Sequence, residues 1–316
     1  MQPRSTSGGR YTLTNLMAAI RNPDLFVEEF ERMFLKQIFQ YRYGSGIDVM
    51  DRDWDNLIIL DACRVDYFAK HNRMDGELQR VVSKGSSSGE FIEGNFSNGT
   101  FHDTILVTAN PFVEEIGDDV FFRVRYSDVF DSWDDSLKTI PPESIVDITL
   151  EMHERYPDKR LVAHFMQPHA PYIGPTGREL SERNGFGVFN PNLDAFDIHD
   201  AGIPGAIDEG YVDEHELRQA YAENVEIALD HAQRLVDGLN GKSVITADHG
   251  EGLGERGLLL RHYGHSRRLY TPELRIVPWF VISSEDRRSV TTGEPVGFEG
   301  LDERTLDSRL HELGYL

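Results

Sequence analysis

The chain has 316 residues, 39% of them hydrophobic, enough to bury the core of one large domain. Its formal net charge is −22, from 54 acidic against 32 basic residues, and the basic set holds 26 Arg but only six Lys. That balance argues against nucleic acid as a partner, because phosphate binding needs a basic face.

The same balance suits a protein adapted to high salt, where screening makes dense negative charge tolerable; an acidic protein of ordinary habitat is the alternative. Cys63 is the single cysteine, so no internal disulfide can form. The first residues lack the apolar centre of a signal peptide, and no window approaches the roughly 20 apolar residues that span a bilayer. The expectation is a soluble, cytoplasmic protein.

In chain order, residues 1–10 are polar and expected to be mobile. From Thr12 to about Tyr43 the pattern is helical, interrupted at Asn22-Pro23-Asp24, and Leu25, Phe26, Phe30, Met33, Phe34 and Leu35 recur with near-helical spacing. This aromatic face can pack on the rest of the chain, or it can meet a membrane or a partner helix. Short apolar runs follow at Asn56–Leu60, Thr104–Thr108, Leu161–Phe165, Ser243–Thr246 and Ile276–Ile282, each reading as a buried strand. Helical patterns lie between them, over Glu143–Tyr156 and about Asp213–Leu239. The segment from Thr176 to Glu209 reads as loops, and LDERTLDSRLHELGYL at the end as a helix that packs on the sheet or on a second subunit.

Strands alternating with helices predict an α/β fold, a three-layer sandwich with a largely parallel central sheet and helices on both faces. The division expected is an N-terminal helical extension over 1–48 and a catalytic domain over 49–316. Ligands of such sheets sit beyond the carboxyl ends of the strands. Three of the runs end in chemistry-bearing side chains: Asp61 after NLIIL, Asp248 and His249 after SVIT, and His169 just beyond LVAHF, with His265 upstream of IVPWFVI. Two carboxylates and an imidazole make an oxygen-rich site for a divalent metal, Mn, Zn, Mg or Ca; capping the following helices is the plainer use of either Asp.

A nucleophile is sought in SKGSSSGEF. Ser87 with Glu90 three residues on reads as a capping box opening a helix, whose first turn would favour an alkoxide and an anionic substrate. A flexible Ser-Gly loop is the alternative.

These segments resemble the sulfatase-like branch of the alkaline phosphatase superfamily, in a haloarchaeal type. NLIILDACRVDYF resembles its first metal-binding strand, HFMQPHAPYIGP its H-F-x-x-P-H-x-P-Y segment, SVITADHGEGLGERG its T-x-D-H-G-E-x-L-G-E-x-G segment, and YGHSRRLYTPELRIVPWFVI its closing stretch. The resemblance spans roughly Trp54 to Ile282, four motifs in the family's order. It implies that Asp61, Asp248 and His249 bind the metal. It further implies that a serine in 86–88 is the nucleophile, and that His169 and His265 contact the substrate anion or protonate the leaving group. Arg64 would hold the site or the anion. Cys63, in CRVDY, does not fit the C-x-P-x-R of formylglycine sulfatases, and Ala62 after Asp61 favours one metal, as in lipoteichoic acid synthases and phosphoethanolamine transferases. One alignment of the serine segment selects Ser86 and another Ser88.

Three functions compete: a metal-dependent hydrolase of phosphate or sulfate esters, a phosphoglycerol- or phosphoethanolamine-type transferase acting on a lipid or glycan with the first helix at a membrane, and a non-catalytic anion-binding scaffold. The substrate is accordingly a small-molecule, glycan or lipid ester, and a homodimer is a candidate assembly.

Overall fold

The computed structural model describes residues 23–184, 206–207, 210–257, 261–298, 300–301 and 304–305, with side chains from Arg32 onward. The calls on residues 1–22, on 185–205 and on the final helix, apart from 301 and 304–305, fall outside that set.

Nine strands are present among the described residues. They are β1 (Asn56–Asp61), β2 (Glu77–Val82), β3 (Phe101–Thr108), β4 (Phe121–Arg125), β5 (Arg160–Pro168), β6 (Ser243–Ala247), β7 (Gly252–Arg256), β8 (Arg261–Gly264) and β9 (Ile276–Ile282). Seven form one sheet in the order β2-β9-β6-β1-β5-β3-β4, and β7 pairs with β8 in a separate hairpin. β1 pairs in parallel with β5 and β6, β3 in parallel with β5 and β4, and only β9 runs against its neighbours β2 and β6.

Every residue of β1 is buried. Since successive side chains of a strand point to opposite faces, a continuous buried run requires both faces to be covered. The outer strand β4 shows the two covers directly. The ring of Phe121 meets Phe96 at 5.2 Å, and the ring of its neighbour Phe122 meets Tyr156 at 5.4 Å on the other face. Phe96 ends helix α3 (Ser88–Phe96), which follows α1 (Pro23–Tyr43) and α2 (Val65–His71). Tyr156 closes α5 (Pro142–Arg155), which follows the single turn α4 (Ser127–Phe130). The layers are therefore helix, sheet, helix, as the alternating pattern predicts.

All five predicted runs are strands, and the helices expected over 143–156 and 213–239 appear as α5 and as α7 (Glu214–Gly238). Helix α7 opens on a capping box, Asp213 accepting from the Glu216 amide while the Glu216 carboxylate accepts from Asp213. Part of the segment read as loop is helical instead: α6 (Pro175–Asn184) carries Pro in its first turn and buries Leu180. A polar decapeptide with one apolar anchor gives no periodic signal. The helix forms because Thr176 hydrogen-bonds Glu223 of α7 through its amide at 2.7 Å and its hydroxyl at 2.6 Å.

Helix α1 meets the rest of the chain at Tyr270, whose ring stands 6.0 Å from that of the buried Phe39 and 5.6 Å from Lys36 Nζ. No helix among the described residues is long and apolar enough to cross a membrane.

Candidate metal centre

Asp61 ends β1, and Asp248 and His249 follow β6, its neighbour in the sheet. The pairing of Leu60 with Ala247 makes this meeting inevitable, because two chains in register leave the sheet side by side. All three side chains are fully buried, and one ligand atom from each lies within 4.8 Å of the others. Ser88, the first residue of α3, joins them: its Oγ stands 3.2 Å from Asp61 Oδ2 and 3.3 Å from His249 Nε2. His249 Nε2 is in turn 3.4 Å from Asp61 Oδ1 and 3.5 Å from Asp248 Oδ2.

Several bonds fix the orientation of these groups. His249 Nδ1 lies 2.7 Å from the Gly250 carbonyl, so it carries the proton and Nε2 keeps its lone pair. Asp248 Oδ1 accepts from the amides of Ala62 at 3.0 Å and His249 at 2.8 Å, while Oδ2 accepts no hydrogen bond among the described residues. Asn110 Nδ2 donates to Asp61 Oδ2 at 2.8 Å. The Ser83 hydroxyl donates to the Asp248 carbonyl.

The centre fits a metal ion on three grounds. His249 Nε2 lies 3.3 Å from Ser88 Oγ, 3.4 Å from Asp61 Oδ1 and 3.5 Å from Asp248 Oδ2, close to the edge, about 3.3–3.4 Å, of a tetrahedron whose bonds are about 2.0–2.1 Å. A buried carboxylate oxygen without a donor is otherwise expensive. The two carboxyl groups also divide unequally. Burial, and then the charge of Asp248, raise Asp61 well above the usual carboxylate range, whereas the His249 and His164 imidazoles hold Asp248 low against its own burial. A second negative charge has no favourable place here unless a cation joins it.

Two further imidazoles border the centre: His265 stands 4.5 Å from the His249 ring and 4.8 Å from the His169 ring. Burial, then the neighbouring His265, push His169 down to about 3. Burial opposes protonation of His265 as well, but Glu251, 3.2 Å from its Nδ1, outweighs it and raises the group. The two adjacent imidazoles are thereby pushed in opposite directions.

The other predicted residues take distinct places. The Ser86 hydroxyl lies 2.9 Å from Glu90 Oε2 and 3.1 Å from the Ser266 carbonyl, and it accepts from the Leu269 amide at 3.2 Å. It is bonded away from the carboxylates that Ser88 faces. Arg64 spends its guanidinium on Asp66 at 3.0 and 2.8 Å, Glu255 at 2.6 Å and the Glu251 carbonyl at 3.2 Å, which ties β7 to the turn after β1. The capping box expected at Ser87 is absent: Ser87 is the N-cap but makes no side-chain cap bond, because Glu90 reaches one residue further back, to the Ser86 amide at 3.0 Å and hydroxyl. Arg275, buried, holds Glu90 there at 3.1 Å.

Two residues of the centre are given no role in the sequence reading above. Asn110 follows β3, so the strand-end rule applied to that strand would have found it. His164 lies within β5, fully buried, with Nε2 3.7 Å from Asp248 Oδ2 and neither ring nitrogen hydrogen-bonded among the described residues; its signals are an imidazole inside an apolar run and its place at the head of the H-F-x-x-P-H-x-P-Y segment.

No family model and no curated protein matches the chain. Among solved structures it is similar to the C-terminal periplasmic domain of EcEptC from Escherichia coli in complex with Zn, at 14% identity and a TM-score of 0.48 over 76% of each chain. It is similar to the integral membrane protein lipooligosaccharide phosphoethanolamine transferase A from Neisseria meningitidis at 13% identity and 0.46, over 73% of this chain and 47% of that one. A putative sulfatase from Bacteroides fragilis matches at 18% identity and 0.28, over 48% of this chain and 31% of that one. At these values the likenesses lend nothing to the assignment of the site, which stands on its own geometry.

Proposed function

We propose that the chain cleaves phosphate or sulfate esters with Ser88 as nucleophile and a single divalent metal, Zn²⁺ in first place, held by Asp61, Asp248 and His249. The observation that carries this is the Ser88 hydroxyl at the start of α3, 3.2 Å from one ligand carboxylate and 3.3 Å from the ligand imidazole. One nitrogen and otherwise oxygen donors at tetrahedral separations favour Zn²⁺ over Ca²⁺, which takes six to eight oxygens. When bound, the ion lowers the pKa of a nearby hydroxyl and neutralises charge on an ester oxygen.

The chain's own residues supply the rest. Asp61 Oδ2 is the nearest acceptor for the Ser88 proton. The Ser88 oxygen bonds to phosphorus or sulfur as the bond to the organic oxygen breaks, and the first-turn amides of α3 face the equatorial oxygens. His265 gives the leaving oxygen its proton, and His169 beside it takes one from the water that displaces the phosphoryl or sulfuryl group from Ser88. Asn110 and Arg64 keep Asp61 and the 251–255 segment in place.

Asp248→Ala tests the assignment. It is expected to abolish Zn²⁺ binding and turnover of an aryl phosphate or aryl sulfate together; retention of either refutes the assignment.

A second reading, transfer to or from a lipid at a membrane surface, is favoured by α1. Residues 32–43 carry three cations and no acid in a chain of net charge −22, and Met33, Phe34, Ile38, Tyr41 and Tyr43 are exposed there. Co-sedimentation with anionic vesicles separates it from hydrolysis of a soluble ester.

A further inference from the structure

Helix α7 contributes nothing to the centre itself, yet two of its fully buried polar side chains, one helical turn apart, end on the segments that carry it. The Tyr221 hydroxyl donates to the Ala62 carbonyl at 2.7 Å and accepts from the Arg64 amide at 2.9 Å. Ala62 directly follows Asp61 and has φ of 59°, a left-handed conformation that a residue with a Cβ adopts at a cost. One phenol therefore grips both sides of the turn that aims Asp61.

Asn224 does the same for the other wall. Its Oδ1 accepts from the Ile173 amide at 2.7 Å, and its Nδ2 faces the carbonyls of Pro168 at 3.2 Å, His169 at 3.3 Å and Pro171 at 3.0 Å. The segment that presents His169 thus has a single amide side chain on its inner side. Neither residue bonds its own helix in these contacts, and a core with no further duty would fill both volumes with apolar side chains, at no desolvation cost.

We infer that Tyr221 and Asn224 are positioning residues with separate duties: Tyr221 sets Asp61 and hence metal affinity, and Asn224 sets His169 and hence the chemical step. The inference rests on the reading of the centre given above. Two quantities tell the duties apart, Zn²⁺ affinity by competition with a chromophoric chelator and turnover of an aryl phosphate at saturating Zn²⁺.

Tyr221→Phe keeps the ring packing and is expected to weaken Zn²⁺ binding about 10–100-fold, with turnover at saturation within about threefold of wild type. Asn224→Ala is expected to leave Zn²⁺ affinity within about twofold and lower turnover at least about tenfold. Asn224→Asp, which keeps the acceptor for Ile173 and loses the donors, is expected to follow Asn224→Ala. Both quantities falling in parallel in both variants, or neither moving, overturns the inference, since a merely structural loss does not sort affinity from rate. Failure of both Asn224 variants to fold overturns it too. A wild-type protein without Zn²⁺ binding or turnover refutes the underlying reading, and this inference with it; an active wild type whose variants do not separate refutes this inference alone.

Discussion

Removing one hydroxyl at two positions, two residues apart, should give opposite results. Ser86→Ala deletes the acceptor of the buried Leu269 amide at 3.2 Å and a donor shared between the Ser266 carbonyl at 3.1 Å and Glu90 at 2.9 Å, so the serine segment loses its ties to the 266–270 segment and to α3. Leaving such groups unpaired costs about 1–3 kcal/mol, which at about 2–4 °C per kcal/mol lowers the melting temperature by roughly 2–12 °C. Activity should survive, because none of these bonds reaches Asp61 or Asp248. Ser88→Ala deletes contacts of 3.2 and 3.3 Å, at the weak end of the hydrogen-bond range, so its stability cost should stay below about 1 kcal/mol. Its rate on an aryl phosphate should fall on the order of a thousandfold or more, since no other hydroxyl takes its place. Thermal melts and initial rates at saturating Zn²⁺ measure both. A Ser88→Ala enzyme within about tenfold of wild type, or an inactive Ser86→Ala that folds normally, would mean the wrong serine has been chosen.

Two further outcomes follow from packing and charge. A Cβ at Gly250 would stand 2.0 Å from the Glu273 carbonyl oxygen, a backbone atom that cannot swing aside, so Gly250→Ala should displace the His249 carbonyl contact and abolish Zn²⁺ binding in a chelator assay while helical circular dichroism persists. Asp53 is held at about 2 by hydrogen bonds from Arg287 and then Lys242. A carboxyl whose folded pKa lies below its unfolded one stabilises the fold above the unfolded value, near 3.9, and that stability is lost as pH falls through about 2. Because the Asp53 side chain is largely exposed, solvent screening reduces the pair to about 0.2–1 kcal/mol. In urea titrations Asp53→Asn should therefore be the less stable protein at pH 7, with the gap closing between about pH 4 and pH 2; a gap that widens on acidification would contradict the assignment.

The parts of the fold that were legible in the sequence are those buried on both faces. NLIIL and IVPWFVI are near-continuous apolar runs because both sheet faces are covered, and their ends locate Asp61 and the path of β9. The edge strands were hidden for the converse reason: ELQRVV in β2 is mostly exposed and GLGER in β7 is too rich in glycine, so neither shows a strand period. The candidate ligands Asp61, Asp248 and His249 could be named because strand ends carry them. The choice between Ser86 and Ser88 could not be made, since it turns on which backbone amide Glu90 reaches, and that is fixed by Arg275, 185 residues away along the chain. Tyr221 and Asn224 were illegible for the same reason: within α7 each looks like any polar residue of an amphipathic helix, and only the tertiary contacts assign them.

The order of strands also dictates an order of assembly. β2, which leads directly into the Ser83–Ser88 segment, has β9 as its neighbour in the sheet, and Ser83 hydrogen-bonds the Arg275 carbonyl at 2.8 Å just before β9 begins. A chain emerging from the ribosome therefore has Asp61 and Ser88 early, acquires Asp248 and His249 much later, and can seat the serine only after residue 282 is made, when that long loop is closed. The proposed nucleophile comes early in the chain and is the last to be set in place, so an unfinished polypeptide carries the residues of the candidate centre without their arrangement.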